Sequence, residues 1–303
     1  MRTVSQLLSR LLNSSRRRSA RMTHLEQRWQ DQQVQATLAD ELDLNIERLK
    51  DIYADCSDVV FHDFVICGRI RAMLIYIEGL TNIEEVDLHV LAPLQRDSLH
   101  APSIANIRRT IPVSSIKPIA SIRDAIEELS IGNPILLVDK EQQGLSFGLS
   151  QWEKRSIEEP TAESVLKGPR EGFIESLRTN TALLRRKLRT PNLKIKTIRK
   201  GSYSRTTIAI AYIEGIAAPS LVEEMMRRLE RIEIDGILES SYIEELIEDN
   251  PYSVFPQMLS TERPDVAAAY LLEGCVALLV EGSPSVRVAP ITMYSLLQSP
   301  EDY

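Results

Sequence analysis

RIRAMLIYIEGL (residues 69–80) and RTTIAIAYIEGI (residues 205–216) are two versions of one segment, 136 residues apart, in which Arg69, Tyr76, Ile77, Glu78 and Gly79 recur as Arg205, Tyr212, Ile213, Glu214 and Gly215. Repetition at so long a period marks two copies of a whole domain rather than a solenoid of short repeats. A hinge or a cleft between the copies is therefore the first place to look for function. The chain of 303 residues is long enough for two lobes that each bury a core.

The likeness extends outward from this signature. DVVFHDFVICGRIRAMLIYIEGL (58–80) lies over NLKIKTIRKGSYSRTTIAIAYIEGI (192–216), and each reads as a β-hairpin of apolar and β-branched residues around a short turn. The glycine after the second strand ends the extended run. Thr81-Asn82 or Pro219-Ser220 then opens a helix, as in LVEEMMRRLERI (221–232). Further on, residues 115–149 match residues 254–291 once an insertion is allowed, with a short strand, a helix ended by Gly132 or Gly274, and a second hairpin.

Each lobe thus reads β-β-α-(α)-β-α-β-β. Because ILLV (135–138) and ALLV (277–280) look buried on both faces, the expected class is α/β (α+β), with two similar lobes, each a mixed β-sheet covered by helices and joined by a linker helix. The expected organisation is a basic, helical extension over 1–41, a first lobe over 42–150, a linker with a long helix over 151–191 and a second lobe over 192–303. REGFIESLRTNTALLRRKLR (170–189) reads as one long amphipathic helix, which matches LDLNIERLKDIY (42–53) ahead of the first lobe.

Charge is uneven along the chain, although the net value is −7. Residues 1–21 hold six arginines and no acid, a composition like that of a transit peptide, a basic tail or an amphipathic foot on anionic lipid, but not of a secretory signal. Residues 185–205 carry nine basic residues and no acid, whereas residues 233–265 carry nine acids against Arg263 alone. The basic run suggests a membrane-surface or nucleic-acid contact as an alternative function, although Tyr203 is its sole aromatic. No stretch approaches the roughly 18 apolar residues of a membrane span. The three cysteines form no CxxC pair, which suits a reducing compartment.

Catalytic and metal-binding patterns are missing from the sequence. The four histidines stand apart from one another and from the cysteines, and there is no GxSxG, GxxxxGK[ST] or strand-following GxGxxG. No enzyme, cofactor or metal is expected. His62 and Asp63 are adjacent in a strand and so point to opposite faces. Glu78 and Glu214 end apolar strands at the sheet edge where α/β proteins bind ligands, and either they take part in binding or they satisfy backbone N–H groups or an arginine there. Tyr76, Glu78, Arg205, Tyr212 and Glu214 are the candidate ligand-binding residues. In STERPD (260–265), Ser260 or Thr261 is expected to cap a helix that begins near Pro264.

GSYSRTTIAIAYIEGIA (201–217), the run from Arg231 to Thr292 and the ending QSPEDY (298–303) closely resemble the A subunit of GerA-type spore germinant receptors of endospore-forming bacteria. The first lobe resembles that family more loosely, through DVVFHDFVI (58–66). The resemblance implies a non-enzymatic, nutrient-sensing receptor of the spore inner membrane, built from an A subunit with B and C subunits and further A subunits. It implies germinants such as amino acids, sugars or nucleosides, and a membrane domain C-terminal to this part. This part would lie on the cytoplasmic, core side. The leading expectation is a domain that transmits the germinant signal by lobe rearrangement or subunit packing, with ligand binding in the inter-lobe cleft second.

Overall fold

The structure, a computed structural model, describes residues 36–95, 103–151, 171–249 and 256–291. The expectations for the basic extension up to residue 35, for most of the polar stretch after Gln151 and for the SPEDY ending lie outside these residues.

The first lobe opens with helix α1 (Leu42–Ile52), followed by strands β1 (Val59–Ile66) and β2 (Ile70–Ile77). Next comes helix α2, made of contiguous pieces Ile83–Val86, a π-helical turn Asp87–Leu91, and Ala92–Gln95. Helix α3 (Ile104–Thr110), β3 (Ile116–Ile119), α4 (Ile122–Ser130), β4 (Ile135–Val138) and β5 (Gly144–Phe147) complete it. The second lobe repeats the order with α5 (Leu177–Lys187), β6 (Leu193–Lys200), β7 (Thr206–Ile213), α6 (Pro219–Glu230), α7 (Ser240–Ile247), β8 (Leu259–Thr261), α8 (Pro264–Glu273), β9 (Val276–Val280) and β10 (Val286–Ala289). The sheet orders are β1-β2-β4-β5-β3 and β6-β7-β9-β10-β8, one arrangement used twice.

Two α/β lobes are therefore present as expected. The helix expected over 170–189 spans only Leu177–Lys187, because Ser176 caps it by accepting from the Thr179 N–H and residues 171–176 are not helical. The strand ladders, however, are antiparallel throughout both sheets rather than mixed. ILLV and ALLV are buried on both faces for a different reason, which is that helices cover each sheet on both sides. In the first lobe α1 and α4 pack on Met73, Ile75 and Leu137, while α2 and α3 pack on Ala72, Leu74 and Leu136. In the second, α5 and α8 pack on Ala209, Ala211 and Leu279, and α6 and α7 pack on Ile208, Ile210 and Leu278. Alternate residues of one strand thus enter two separate cores.

The duplication reaches into side-chain detail. Asn45, buried in α1, accepts from the Ala39 N–H at 2.9 Å and donates to the Ala39 carbonyl at 2.7 Å. Asn180, fully buried in α5, does the same with Ile174 at 2.8 and 2.5 Å. A carboxylate at the end of the central strand then meets the first N–H of each helix: Asp139 at Leu42 and Glu281 at Leu177. Each leading helix is pinned at its N-terminus, where negative charge is favoured.

The signature turns are also alike. Gly79 and Gly215 have φ of 79° and 83°, a left-handed conformation that glycine adopts without penalty. The Glu78 N–H donates to the Asp58 carbonyl and the Glu214 N–H to that of Asn192. A difference follows at the next helix. Asn82 caps α2 by accepting from the Glu85 N–H, whereas Ala218 stands at the N-cap of α6 with no side-chain cap. Ala218→Asp is expected to raise unfolding free energy by about 0.5–2 kcal/mol, read as a higher urea midpoint at unchanged m. At α8 the N-cap position is Arg263, not Ser260 or Thr261. Thr261 Oγ1 instead accepts from the Arg263 N–H one residue short of the helix.

Candidate functional site at the lobe junction

The first and second sheets meet edge to edge. Residues 55–57, which lead into β1, run beside the start of β6: the Ile195 N–H donates to the Asp55 carbonyl and the Ser57 N–H to the Ile195 carbonyl, both at 2.9 Å. Cys56 and Ile195 form a parallel bridge. Asp55 reaches this position with φ of 63°, and the Ser57 hydroxyl accepts from the Thr197 N–H at 3.2 Å. The Cys56 thiol lies against the Leu193 carbonyl, and burial pushes its pKa up, so the thiol stays protonated.

Helix α5 belongs to both lobes. Leu177, Leu183 and Leu184 enter the second lobe's core, while Ala182 lies in the first lobe's core. Arg185, on the same helix and 2% exposed, makes a bidentate pair with Asp58 of the first lobe, Nε to Oδ2 at 2.7 Å and Nη2 to Oδ1 at 2.8 Å. Its Nη1 donates to the Thr190 carbonyl at 3.3 Å. Burial disfavours the guanidinium charge, but Asp58 outweighs it and holds the Arg185 pKa above its ordinary value.

Where the two lobes flank the first signature turn, a groove of about 360 Å³ opens. Gly79, Thr81, Asn82, Ile83, Glu84 and Gln151 line it from the first lobe and Arg178 of α5 from the second. The approach is close, since a Cβ on Gly79 would lie 2.9 Å from both Ala182 Cβ and the Arg178 carbonyl. Arg178 is exposed and makes no ion pair among the described residues. The groove therefore offers a cation and an anion, Arg178 and Glu84, beside two amides.

None of the five candidate residues lines the groove, although Tyr212 contacts the first lobe directly and Glu214 does so through Lys194. Tyr76 and Glu78 run into Gly79 at the groove. Burial, with Glu78 and Asp87 nearby, raises the Tyr76 pKa, and Arg178 pulls it back. In the second lobe, the Tyr212 hydroxyl donates to Asp55 at 3.4 Å, and burial followed by Asp55 raises its pKa. Glu214 receives Lys194 at 3.5 Å, and Lys194 also donates to the Ile52 carbonyl at the end of α1. Glu214 therefore reaches the first lobe through Lys194, while the Glu78 N–H donates to the Asp58 carbonyl within its own lobe. Arg205 is not with them. It precedes β7, with φ of 47°, and Glu214 follows that strand, so about 30 Å of extended chain separates the two.

The basic run is largely consumed inside the fold. Arg185 holds Asp58, Arg186 and Lys187 hold Glu171, Lys194 and Lys196 reach Glu214 and Asp55, and Lys200 donates to the Glu230 and Ile232 carbonyls. Its remaining tip, with Arg199, Arg205 and the exposed Tyr203, lies at the opposite end of the second sheet from Ala289, where β10 ends. A second hollow of about 650 Å³ at that tip is lined by Gly201, Ser202, Ile232, Glu233, Ile234 and Asp235, so the charged residues that line it are both acids. His62 stacks near Phe64 and Asp63 pairs with Arg71, so these neighbours serve different contacts.

Sequence reasoning missed Arg178 with the groove it lines, and the buried Arg185–Asp58 pair. Arg185 carried a usable signal, because it continues the apolar face of α5 marked by Leu177 and Leu184.

Two α/β lobes fastened edge to edge, with a polar groove where they meet, define a duplicated two-lobed α/β domain. The model of the Bacillus/Clostridium GerA spore germination protein family matches residues 47–303. The chain is 40% identical over 265 residues to a Bacillus subtilis protein named uncharacterized membrane protein YfkQ, covering 86% of this chain and 51% of that protein. It is 37% identical to spore germination protein KA of the same organism, covering 90% of this chain and 51% of the relative. Spore germination protein B1 is 40% identical, with 87% and 55% covered. The chain thus spans about half the length of these relatives. Among solved structures, the N-terminal domain of the A subunit of the Bacillus megaterium spore germinant receptor GerK3 superposes with a TM-score of 0.67 at 30% identity, covering 86% of this chain and 98% of that one. The chain belongs to the GerA spore germination family, and its two lobes correspond to the N-terminal domain of a germinant-receptor A subunit. No helix among the described residues is long and apolar enough to cross a membrane.

Proposed function

We propose that this two-lobed domain takes part in germinant sensing, receptor assembly and signal relay during spore germination. Helix α5 carries the reading, since one helix is packed into both cores and forms a wall of the groove. A small molecule in the groove touches the Gly79 turn of one lobe and Arg178 of the other, so its binding energy acts on their relative placement. The buried fastening favours a small shift of α5 over wide opening about a hinge. Arg178 and Glu84 with Asn82 and Gln151 suit a compact ligand that carries both charges or several hydroxyls. In the full-length protein, this domain works at the spore inner membrane beside B and C subunits and further A subunits.

Ligand-observed NMR with a panel of amino acids, sugars and nucleosides tests the sensing role. The expected result is saturation transfer to at least one compound at millimolar concentration, abolished by Arg178→Ala. Silence across the panel removes ligand binding and leaves assembly and relay as the domain's part.

A further inference from the structure

The two lobes differ in how their matching turns are covered. In the first lobe, α5 sits on Gly79, with Ala182 Cβ and the Arg178 carbonyl at the contact. In the second lobe, Gly215 has the same backbone conformation. The residue after it is seated alike, for a Cβ on Gly274 would lie 3.1 Å from the Ile216 carbonyl, as one on Gly132 would lie 2.7 Å from that of Leu80. Yet Gly215, Ala218, Pro219 and Ser220 are exposed.

The helix covering the first turn is the one that leads the next unit of the chain. The strand leaving the first lobe crosses that turn first: the Asn82 N–H donates to the Leu149 carbonyl and the Gln151 N–H to the Leu80 carbonyl, both at 2.9 Å. Helix α5 then follows and packs beside it. The second lobe sends its chain out from the same place. Ala289 lies opposite Val276, at the end of the sheet where β7 finishes, and the Cys275 thiol contacts the Pro290 carbonyl at 3.5 Å.

We propose that the turn Gly215–Ser220 is a docking face for a helix of the receptor polypeptide C-terminal to the second lobe, presenting a small residue to Gly215 as α5 presents Ala182 to Gly79. A second copy of this chain fits the face poorly. Its α1, the counterpart of α5, would bring Glu47 where Ala182 stands and Lys50 where Arg185 stands, against Asn192 in place of Asp58. A glutamate cannot approach a glycine turn that closely, and the buried charge pair would lose its acid.

Hydrogen exchange on the 303-residue chain and on the full-length subunit in detergent micelles tests this. Amides 214–220 are expected to exchange at least about tenfold more slowly in the full-length subunit, while amides 78–83 exchange equally in both. Ala218→Trp is expected to remove that extra protection and leave the melting temperature of the 303-residue chain unchanged. Equal exchange of 214–220 in the two proteins overturns the proposal. So does protection that appears in the 303-residue chain as its own concentration rises, which would assign the face to a second copy.

Discussion

Arg185→Leu is expected to lower the unfolding free energy by about 3–5 kcal/mol, the largest effect of any single change to the lobe junction. The guanidinium is removed while Asp58 stays buried, with both of its charge-assisted hydrogen bonds gone. Asp58 is 7% exposed, so water cannot replace those bonds without opening the junction. The double variant Asp58→Leu with Arg185→Leu is expected to recover a large part of the loss, because the uncompensated charge is then absent. Urea denaturation of the parent and of both variants measures this. A single variant as stable as the parent would mean that the pair is not buried at the junction.

Gly79→Val is expected to cost more than Gly215→Val. Each forces a β-branched residue into the left-handed region, at about 1–2 kcal/mol. Gly79 adds a collision with Ala182 and the Arg178 backbone, which cannot rotate away, for a further 1–3 kcal/mol or so. The difference between the two variants therefore isolates the contact of α5 with the first lobe. Thermal unfolding of both, in the same 303-residue chain, is the measurement. Equal losses would show that α5 does not press on the Gly79 turn.

The duplication and the order of elements were legible because they rest on periodicity, glycines and turn residues, which act locally. YIEG marked both strand-to-helix junctions, and Gly132 and Gly274 close helices with φ of 91° and 96° as their positions suggested. Strand direction was not legible from ILLV and ALLV. A strand covered on both faces reads the same in a parallel or an antiparallel sheet, since the covering helices alone set that pattern. Asn45 and Asn180 occupy the same place in the two leading helices and could have been found from that spacing, because a buried asparagine in a helix needs partners. What they bind, the backbone six residues earlier, leaves no periodic trace.

The basic run misled for a related reason. Sequence proximity joined nine cations, whereas the fold sends Arg185 inward, Lys194 to α1 and Lys200 to carbonyls after α6. Arg205 was grouped with Glu214 through the shared segment, although an intervening strand puts them at opposite ends of a sheet. The groove beside Gly79 needed the one fact no single segment holds, that the helix leading the second lobe packs on the first.

Helix α5, packed into both cores, and the buried Arg185–Asp58 pair join the two copies, so they are expected to unfold as one cooperative body. Differential scanning calorimetry of the 303-residue chain is the measurement. One transition is expected, with calorimetric and van't Hoff enthalpies in agreement. Two resolved transitions, each with the enthalpy of a single lobe, would contradict it.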